Sequence, residues 1–485
     1  MTELVLPQID WTVFAPLIPV AVGGFATLMI DLFPSSGRKQ VAAILSVIAL
    51  AVSIVLSIRS WGTIGYGVHD AVVLDRFTLF FYLVLGLIGI LTILLSMGHL
   101  GTATADQGEY YSLILFSVLG MMLMAAGGDL IVMFLGLETF SLALYILAGF
   151  WKTELRSNES ALKYLLLGAF AGGFFLYGIA LIYGATGTTV LRQIMAFLAD
   201  GDPPSPLFWI GGGLLLIGFG FKIASVPFHM WVPDVYEGAP TSVTAFMIAG
   251  TKAAAFAAFL RVFLLALPAL HVRWSVVIWV LAVLTMTIGN LVALAQSNIK
   301  RMLAYSSIAH AGYLLVALVA GGSSGVAGIL FYLVVYALMN LGVFAVIIAV
   351  QHHKRERLLL SDYAGLGWQR PFLAACMAVF MFSLSGIPPT AGFMGKLYIF
   401  SAALEGHYPG LAVIGVLNSV VSVYYYLRVV VIMYMSETAS PSPLVAAPAA
   451  AVLAVLVSVL GTLHLGLFPA SLLDLARQSV SAIVG

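Results

Sequence analysis

Six ionisable residues stand where the surrounding sequence offers them no water. Lys163, Lys222, Lys252 and Lys396, with Glu138 and His310, all lie inside long apolar stretches. An ionised side chain at the centre of a membrane helix costs about 2.5–3.5 kcal/mol on insertion scales. A chain that carries several of them is built to move charge, unless they snorkel or pack. Depth separates the two. Lys252 stands midway along its stretch, in Ala249-Gly250-Thr251-Lys252-Ala253-Ala254, too deep for a lysine stem to escape comfortably. Lys222 precedes Val226-Pro227, and Lys396 follows Pro388-Pro389. Glu138, among Leu135, Gly136, Leu137, Thr139 and Phe140, needs a cation. Lys163 lies near the end of the next stretch, where snorkelling is the default, and gains weight as a partner for Glu138. His310, in Ser306-Ser307-Ile308-Ala309-His310, is either a relay or a packing donor; histidine is the side chain whose ordinary titration range suits a relay. Arg261 and Arg428, within two turns of predicted helix ends, are expected to snorkel, and Asp129 to sit at a helix N-terminus.

The chemistry of the set is proton transfer. A desolvated lysine gives up its proton more readily than one in water, so it can gain and lose one near neutral pH. An ion pair such as Glu138–Lys163 favours the charged lysine, and its tightening or loosening changes proton affinity at the neighbouring lysines.

These residues are positioned by membrane helices. Of 485 residues 62% are hydrophobic and 8% charged, with mean hydropathy +1.09, whereas soluble domains carry about 25% charged residues. At about 20 apolar residues per span, the chain is expected to be an all-α integral membrane protein of about fourteen spans, at 12–33, 40–58, 76–97, 109–126, 129–150, 160–184, 207–227, 241–266, 274–297, 301–320, 326–350, 372–404, 410–434 and 444–468. Loops are short; the longest are 59–75, 185–206 and 351–371. The second holds Leu191, Ile194, Met195, Phe197 and Leu198, either a short helix on the membrane surface or an ordinary loop. Residues 1–485 form one bundle. Spans 7 and 12 are interrupted at their prolines, and a broken helix with a nearby lysine suggests a hydrated cavity at membrane depth. Lying five spans apart, they run in opposite directions. That fits an inverted repeat of spans 4–8 (residues 109–266) and 9–13 (residues 274–434).

Arg38, Lys39, Lys152, Arg156, Lys300, Arg301, Lys354, Arg355, Arg357 and Arg370 gather on one side, against Arg59, Arg76, Arg192, Arg273 and Arg477 on the other. The excess places the first set in the cytoplasm, with His352–Arg357 as the strongest anchor, and both termini outside. The first ten residues lack Lys and Arg, so the first apolar segment is expected to be a retained helix. Net charge +1 gives no case for nucleic acid. Cys376, the single cysteine, can neither hold an iron–sulfur cluster nor close an internal disulfide, and there is no CxxCH, Walker A or GxGxxG motif. On residues alone a proton pump, a cation/proton antiporter and a structural membrane scaffold all remain open.

Three motifs narrow this. Pro227-Phe228-His229-Met230-Trp231-Val232-Pro233-Asp234-Val235-Tyr236-Glu237-Gly238-Ala239-Pro240, Ile299-Lys300-Arg301-Met302-Leu303-Ala304-Tyr305-Ser306-Ser307-Ile308-Ala309-His310 and Tyr424-Tyr425-Tyr426-Leu427-Arg428 resemble the antiporter-like subunits of respiratory complex I, the proton-pumping NADH:quinone oxidoreductase. The resemblance runs from span 3 to span 13. Lys396, where the sister subunit M is expected to carry glutamate, and the lack of sequence for the lateral helix of subunit L set the chain apart from both. The resemblance implies proton translocation, with Glu138 and Lys163 as coupling pair, Lys222, Lys252 and His310 as relay, and Lys396 serving a second half-channel. It implies no cofactor in this chain; NADH, FMN, iron–sulfur clusters and quinone belong to partner subunits. The partners it implies are sister antiporter-like subunits, the small subunits A, H, J and K, the lateral helix of subunit L, and the lipids of a bacterial plasma membrane.

Overall fold

The computed structural model describes residues 10–32, 38–99, 108–199, 204–351, 356–437 and 447–483. The main helices are α1 (Ile18–Asp31), α2 (Arg38–Arg59), α3 (Arg76–His99), α4 (Glu109–Ala126), α5 (Leu130–Ala148), α6 (Leu155–Thr186), α7 (Pro206–Ile223), α8 (Thr241–Ala266), α9 (His271–Leu294), α10 (Ile299–Ala320), α11 (Gly322–Ala349), α12 (Pro371–Ser385), α13 (Ala391–Glu405), α14 (Pro409–Met435), α15 (Ala449–Leu467) and α16 (Ala470–Val480). Among the described residues twelve helices are long and apolar enough to cross a membrane, and Ile18–Ile30 and Pro371–Ser385 are shorter apolar helices. Every predicted span falls on one of these, with the twelfth divided into α12 and α13.

Burial sorts the helices into layers. Helices α8, α10 and α11 are almost wholly enclosed, whereas α2, α6, α9 and α14 leave most of their apolar surface outward. With no water in a bilayer core to reward apolar burial, inward faces are chosen by packing and by polar groups that need partners. The enclosed helices carry Lys252, His310, Tyr313, Tyr332 and Tyr336.

Local chemistry sets the ends. Asp129 caps α5, accepting from Ile131 N at 2.6 Å and from Thr189 Oγ1 at 2.6 Å, as an acid at a helix N-terminus should. Asn298 caps α10 through Lys300 N at 2.9 Å and Arg301 N at 3.3 Å. Helix α8 is not uniform: Met247–Thr251, immediately before Lys252, and Arg261–Ala266 are wider π-helical turns, a local irregularity common at functional positions.

In the structure the helices stop near both prolines and restart beyond them. Helix α7 stops at Ile223; after irregular backbone a short helix, Val232–Gly238, follows. The freed groups find partners inside the protein: Ser225 N donates to Gly220 O at 2.8 Å, and Val226 N to Thr285 Oγ1 at 3.0 Å. Helix α12 stops at Gly386, whose φ of +86° favours glycine. A Cβ there would stand 2.9 Å from Lys396 Cδ, so the glycine also makes room for the lysine.

The loops hold more structure than expected. The 59–75 loop contains an antiparallel hairpin, β1 (Gly65–Gly67) and β2 (Val72–Leu74), with Tyr66 opposite Val73. The 185–206 loop contains a helix at Leu191–Ala199 that buries Leu191, Ile194 and Leu198. Helix α16 was not expected at all. Of the His352–Arg357 anchor, residues 352–355 lie outside the described residues.

Candidate functional site: a buried row of protonatable side chains

Lys222 ends α7 as a fully enclosed cation. Its Nζ donates to Ser141 Oγ at 2.7 Å and stands 5.3–5.8 Å from the rings of Phe140, Tyr145, Tyr164 and Phe221. Aromatic faces attract a cation without supplying a charge. Lys252 Nζ donates to the carbonyl of Ser307 on α10 and faces the Tyr336 ring at 5.7 Å. Lys396 Nζ bonds Leu384 O at 2.9 Å, Ser385 O at 3.0 Å and Ser419 Oγ at 2.8 Å. It thereby satisfies carbonyls exposed by the α12 break. Among the described residues none of these three lysines has a carboxylate within ion-pair distance.

His310 joins the middle of the row. Nδ1 lies 2.6 Å from Tyr332 Oη and Nε2 2.9 Å from Tyr426 Oη; Tyr426 also bonds Ser306 Oγ. A neutral imidazole donates from one nitrogen and accepts at the other, so a ring held between two hydroxyls can pass a proton by exchanging those roles. Toward Lys252, Ser307 Oγ, Tyr336 Oη and Asn340 Oδ1 form a buried polar group, a setting that suits a bridging water. Toward Lys396, a Cβ on Gly395 would touch the Tyr332 ring at 2.3 Å, and the Tyr313 ring stands 5.1 Å from Lys396 Nζ. Tyr313 Oη accepts from Asn290 Nδ2 at 3.0 Å, and Tyr425 Oη donates to Asn290 Oδ1 at 2.9 Å. A groove of about 350 Å³, lined by Ser385, Gly386, Phe393, Lys396, Phe400 and Ser419 among others, leads from Lys396 to the flank of α14.

Glu138 and Lys163 are not brought together. Helices α5 and α6 are antiparallel neighbours whose register sets Tyr145 against Gly168 and Glu138 against Gly172. Nine residues separate Gly172 from Lys163, about 13 Å along a helix, beyond a lysine's reach. Glu138 is one turn from Ser141, the partner of Lys222, and so stands closest to the Lys222 site. Lys163 instead bonds Asp234 Oδ2 and Glu159 Oε1, each at 2.7 Å.

Two cations read as surface or loop charges prove to be enclosed. Arg261 does not snorkel. It is fully buried, with one terminal nitrogen on both Asp75 oxygens at 2.8 and 2.9 Å and on Thr78 Oγ1 at 2.6 Å, and its Nε on Ala125 O at 3.0 Å. The hairpin, the start of α3 and the helix at Leu191–Ala199 surround this end of α8, beside a cavity of about 200 Å³. Lys300 is also fully buried, on Ala239 O at 2.7 Å and Glu356 Oε2 at 3.1 Å, and does not count as a loop charge. Arg428 reaches Gln296 O at 3.4 Å. Among the described residues no three His, Cys, Asp or Glu side chains gather as a metal site.

The family described as "NADH:quinone oxidoreductase/Mrp antiporter, TM" matches residues 126–422. NADH-quinone oxidoreductase subunit N from Trichlorobacter lovleyi is 50% identical over 98% of both chains, and that from Chloroflexus aggregans 46% identical over the whole of both. The chain belongs to the subunit N family. Among solved structures, a chain of respiratory complex I from Thermus thermophilus with bound aureothin superposes with TM-score 0.80 at 37% identity, covering 95% of this chain and 99% of that one. A chain of the Mrp complex from Dietzia sp. shares the fold, with TM-score 0.85 at 21% identity, covering 98% of this chain and 97% of that one. Within a subunit N fold, the lysines, His310 and Glu138 are the residues that sequence reasoning reached. Ser141, Ser306, Ser307, Tyr332, Tyr336, Tyr426 and Ser419 were missed. Hydroxyls on apolar helices carry no signal of their own, although Ser306, Ser307 and Tyr426 fall inside quoted motifs.

Proposed function

We propose that this chain translocates protons across a bacterial plasma membrane as a subunit of NADH:quinone oxidoreductase, coupled to quinone reduction elsewhere in the complex. The observation that carries this reading is the row Lys222, Lys252, His310, Lys396: three lysines buried at helix breaks or an irregular turn and a histidine between two hydroxyls, held by hydroxyls, carbonyls and rings. Such partners let a lysine exist with or without its proton, which a carboxylate partner opposes. Lys222, Lys252 and His310 relay the proton; Lys396 serves a second half-channel with the groove at its side. Glu138 biases Lys222. Lys163 acts from the end of the row through its carboxylate partners. Residues 109–266 and 274–434 act as two halves related by an inverted repeat, each with one broken helix.

Redox chemistry with NADH, flavin, iron–sulfur clusters and quinone belongs to partner subunits. The sister antiporter-like subunits, the small subunits A, H, J and K and the lateral helix of subunit L would pack around this chain, with both termini on the periplasmic side. A cation/proton antiporter shares the fold, but the likeness to the Mrp chain extends no further than that.

Lys222→Ala and Lys252→Ala test the proposal in intact membranes, with proton pumping and quinone reduction measured together. Loss of pumping in a normally assembled complex is expected. Unchanged pumping in both variants overturns the relay.

A further inference from the structure

At the far end of α8 from Arg261, charged side chains from three elements converge. The short helix Val232–Gly238 supplies Asp234 and Glu237, one turn apart. Asp234 is divided between two cations: Oδ2 accepts from Lys163 on α6 at 2.7 Å, and Oδ1 from Arg301 on α10 at 2.8 Å. Arg301 also bonds Glu237 at 2.9 Å; Glu237 in turn accepts from Asn298 at 3.0 Å and lies 3.7 Å from Arg156. Burial acts to raise the Asp234 carboxyl, but the bonds from Lys163 and Arg301 prevail and hold it below its ordinary 3.8.

The scaffold under this carboxylate is firm. Ser160 Oγ on α6 donates to Val235 O at 2.9 Å. Trp231 Nε1 donates to Phe221 O at 3.2 Å, and the Trp231 ring stacks on Tyr164 at 4.7 Å. Tyr164 follows Lys163 in the chain and is a wall of the Lys222 box. Arg301 lies in the first turn of α10, the helix that further along presents Ser306, Ser307 and His310. Each partner of Asp234 is therefore attached to a different part of the proton row.

We propose that Asp234 is a positioning residue that couples the two halves of the chain, as the counter-ion shared between Lys163 in the first and Arg301 in the second. This rests on the proton-translocating reading above. A change in the charge or position of Lys163 redistributes Asp234 onto Arg301, and the first turn of α10 feels that change below Ser307 and His310. Exposed ion pairs contribute little to stability. Here a shared carboxylate, rather than pair strength, does the coupling: removing either cation changes what the other holds.

The test is a mutant cycle in the intact complex in native membranes, read as protons pumped per quinone reduced. That ratio is not altered by a uniform loss of assembled enzyme. Lys163→Gln, Arg301→Gln and the double variant are made with Asp234 present, and again with Asp234→Asn. With Asp234 the two substitutions are expected to be non-additive by about fivefold. In Asp234→Asn they become additive, and Asp234→Glu restores the coupling. Additivity in both backgrounds overturns the proposal, as does non-additivity that survives Asp234→Asn, which would assign the coupling to Glu237. Should a glutamine variant fail to assemble, Lys163→Arg and Arg301→Lys supply the cycle. If Lys222→Ala and Lys252→Ala both pump normally the underlying reading fails; if they lose pumping and the cycle is additive, only the coupling fails.

Discussion

Two buried cations share helix α8, and they are held in opposite ways. Lys252 rests on a backbone carbonyl and faces a tyrosine ring. Arg261, nine residues on, is clasped by a carboxylate, a hydroxyl and a carbonyl. The difference follows from the side chains. A guanidinium stays charged, so burying it demands a counter-ion and several acceptors. A lysine can give up its proton, so it can be enclosed without a carboxylate when the site must alternate between charge states. Lys222 and Lys396 follow the Lys252 pattern. On the proposed reading, burial with neutral partners rather than burial alone distinguishes a proton carrier.

The largest effect expected from breaking this contrast is at the fixed pair. Asp75→Ala leaves Arg261 charged, enclosed and unpaired, at a cost of about 3–5 kcal/mol. Thermal unfolding in detergent and the level of assembled complex should both fall sharply. Asp75→Leu combined with Arg261→Met, which removes both charges, should recover most of the loss. If the single variant is as stable as wild type, the pair is not the anchor described here. Next comes Lys252→Arg, which keeps the charge and removes the ability to shed the proton. Pumping should drop by about 100-fold, the scale of losing a positioned acid–base group, while the complex still assembles. Arg261→Lys should do the reverse, pumping at the wild-type ratio in a less stable protein. Normal pumping by Lys252→Arg would sink the distinction between the two cations.

What could be read from the chain itself divides along the same line. The apolar stretches were legible because a bilayer demands about 20 apolar residues whatever the tertiary structure. The prolines that break α7 and α12 were equally visible. Depth counted from a helix end located Lys222, Lys252 and Lys396, but failed at Arg261. That count assumes water at the helix end, and the β1–β2 hairpin and the start of α3 enclose it instead. Asp75, its partner, lay in a stretch read as loop, where two three-residue strands are too short to show a pattern. Lys300 failed for the same reason: its carboxylate, Glu356, is 56 residues away. The proposed Glu138–Lys163 pair failed on register. Adjacent antiparallel helices put their residues at levels that span order does not reveal, and only the Tyr145–Gly168 and Glu138–Gly172 contacts fix them.

Smaller effects refine the neutral side of the contrast. Tyr426→Phe removes one hydroxyl bridging His310 Nε2 and Ser306. At about 1 kcal/mol for one hydrogen bond, pumping should slow about fivefold with quinone reduction following it; an unaltered rate would place Tyr426 outside the relay.

The smallest effect concerns the network at the end of the row, where carboxylates do meet lysine. The Asp234 carboxyl titrates below its ordinary 3.8 in the folded protein. Its contribution to stability is therefore present above that ordinary value and is lost as pH falls through the lower folded one. Its side chain is 38% exposed, so solvent screening limits the contribution to about 0–1 kcal/mol. The difference in unfolding midpoint between wild type and Asp234→Asn should be small and constant from pH 7 to 5. It should then shrink towards zero below about pH 4, where the wild-type carboxyl takes up its proton and comes to resemble the amide. Every other carboxylate titrates in both proteins and cancels in the difference. A gap that stays constant down to pH 3 would mean that Asp234 carries no charge-dependent bond. The coupling between halves would then have to run through Glu237.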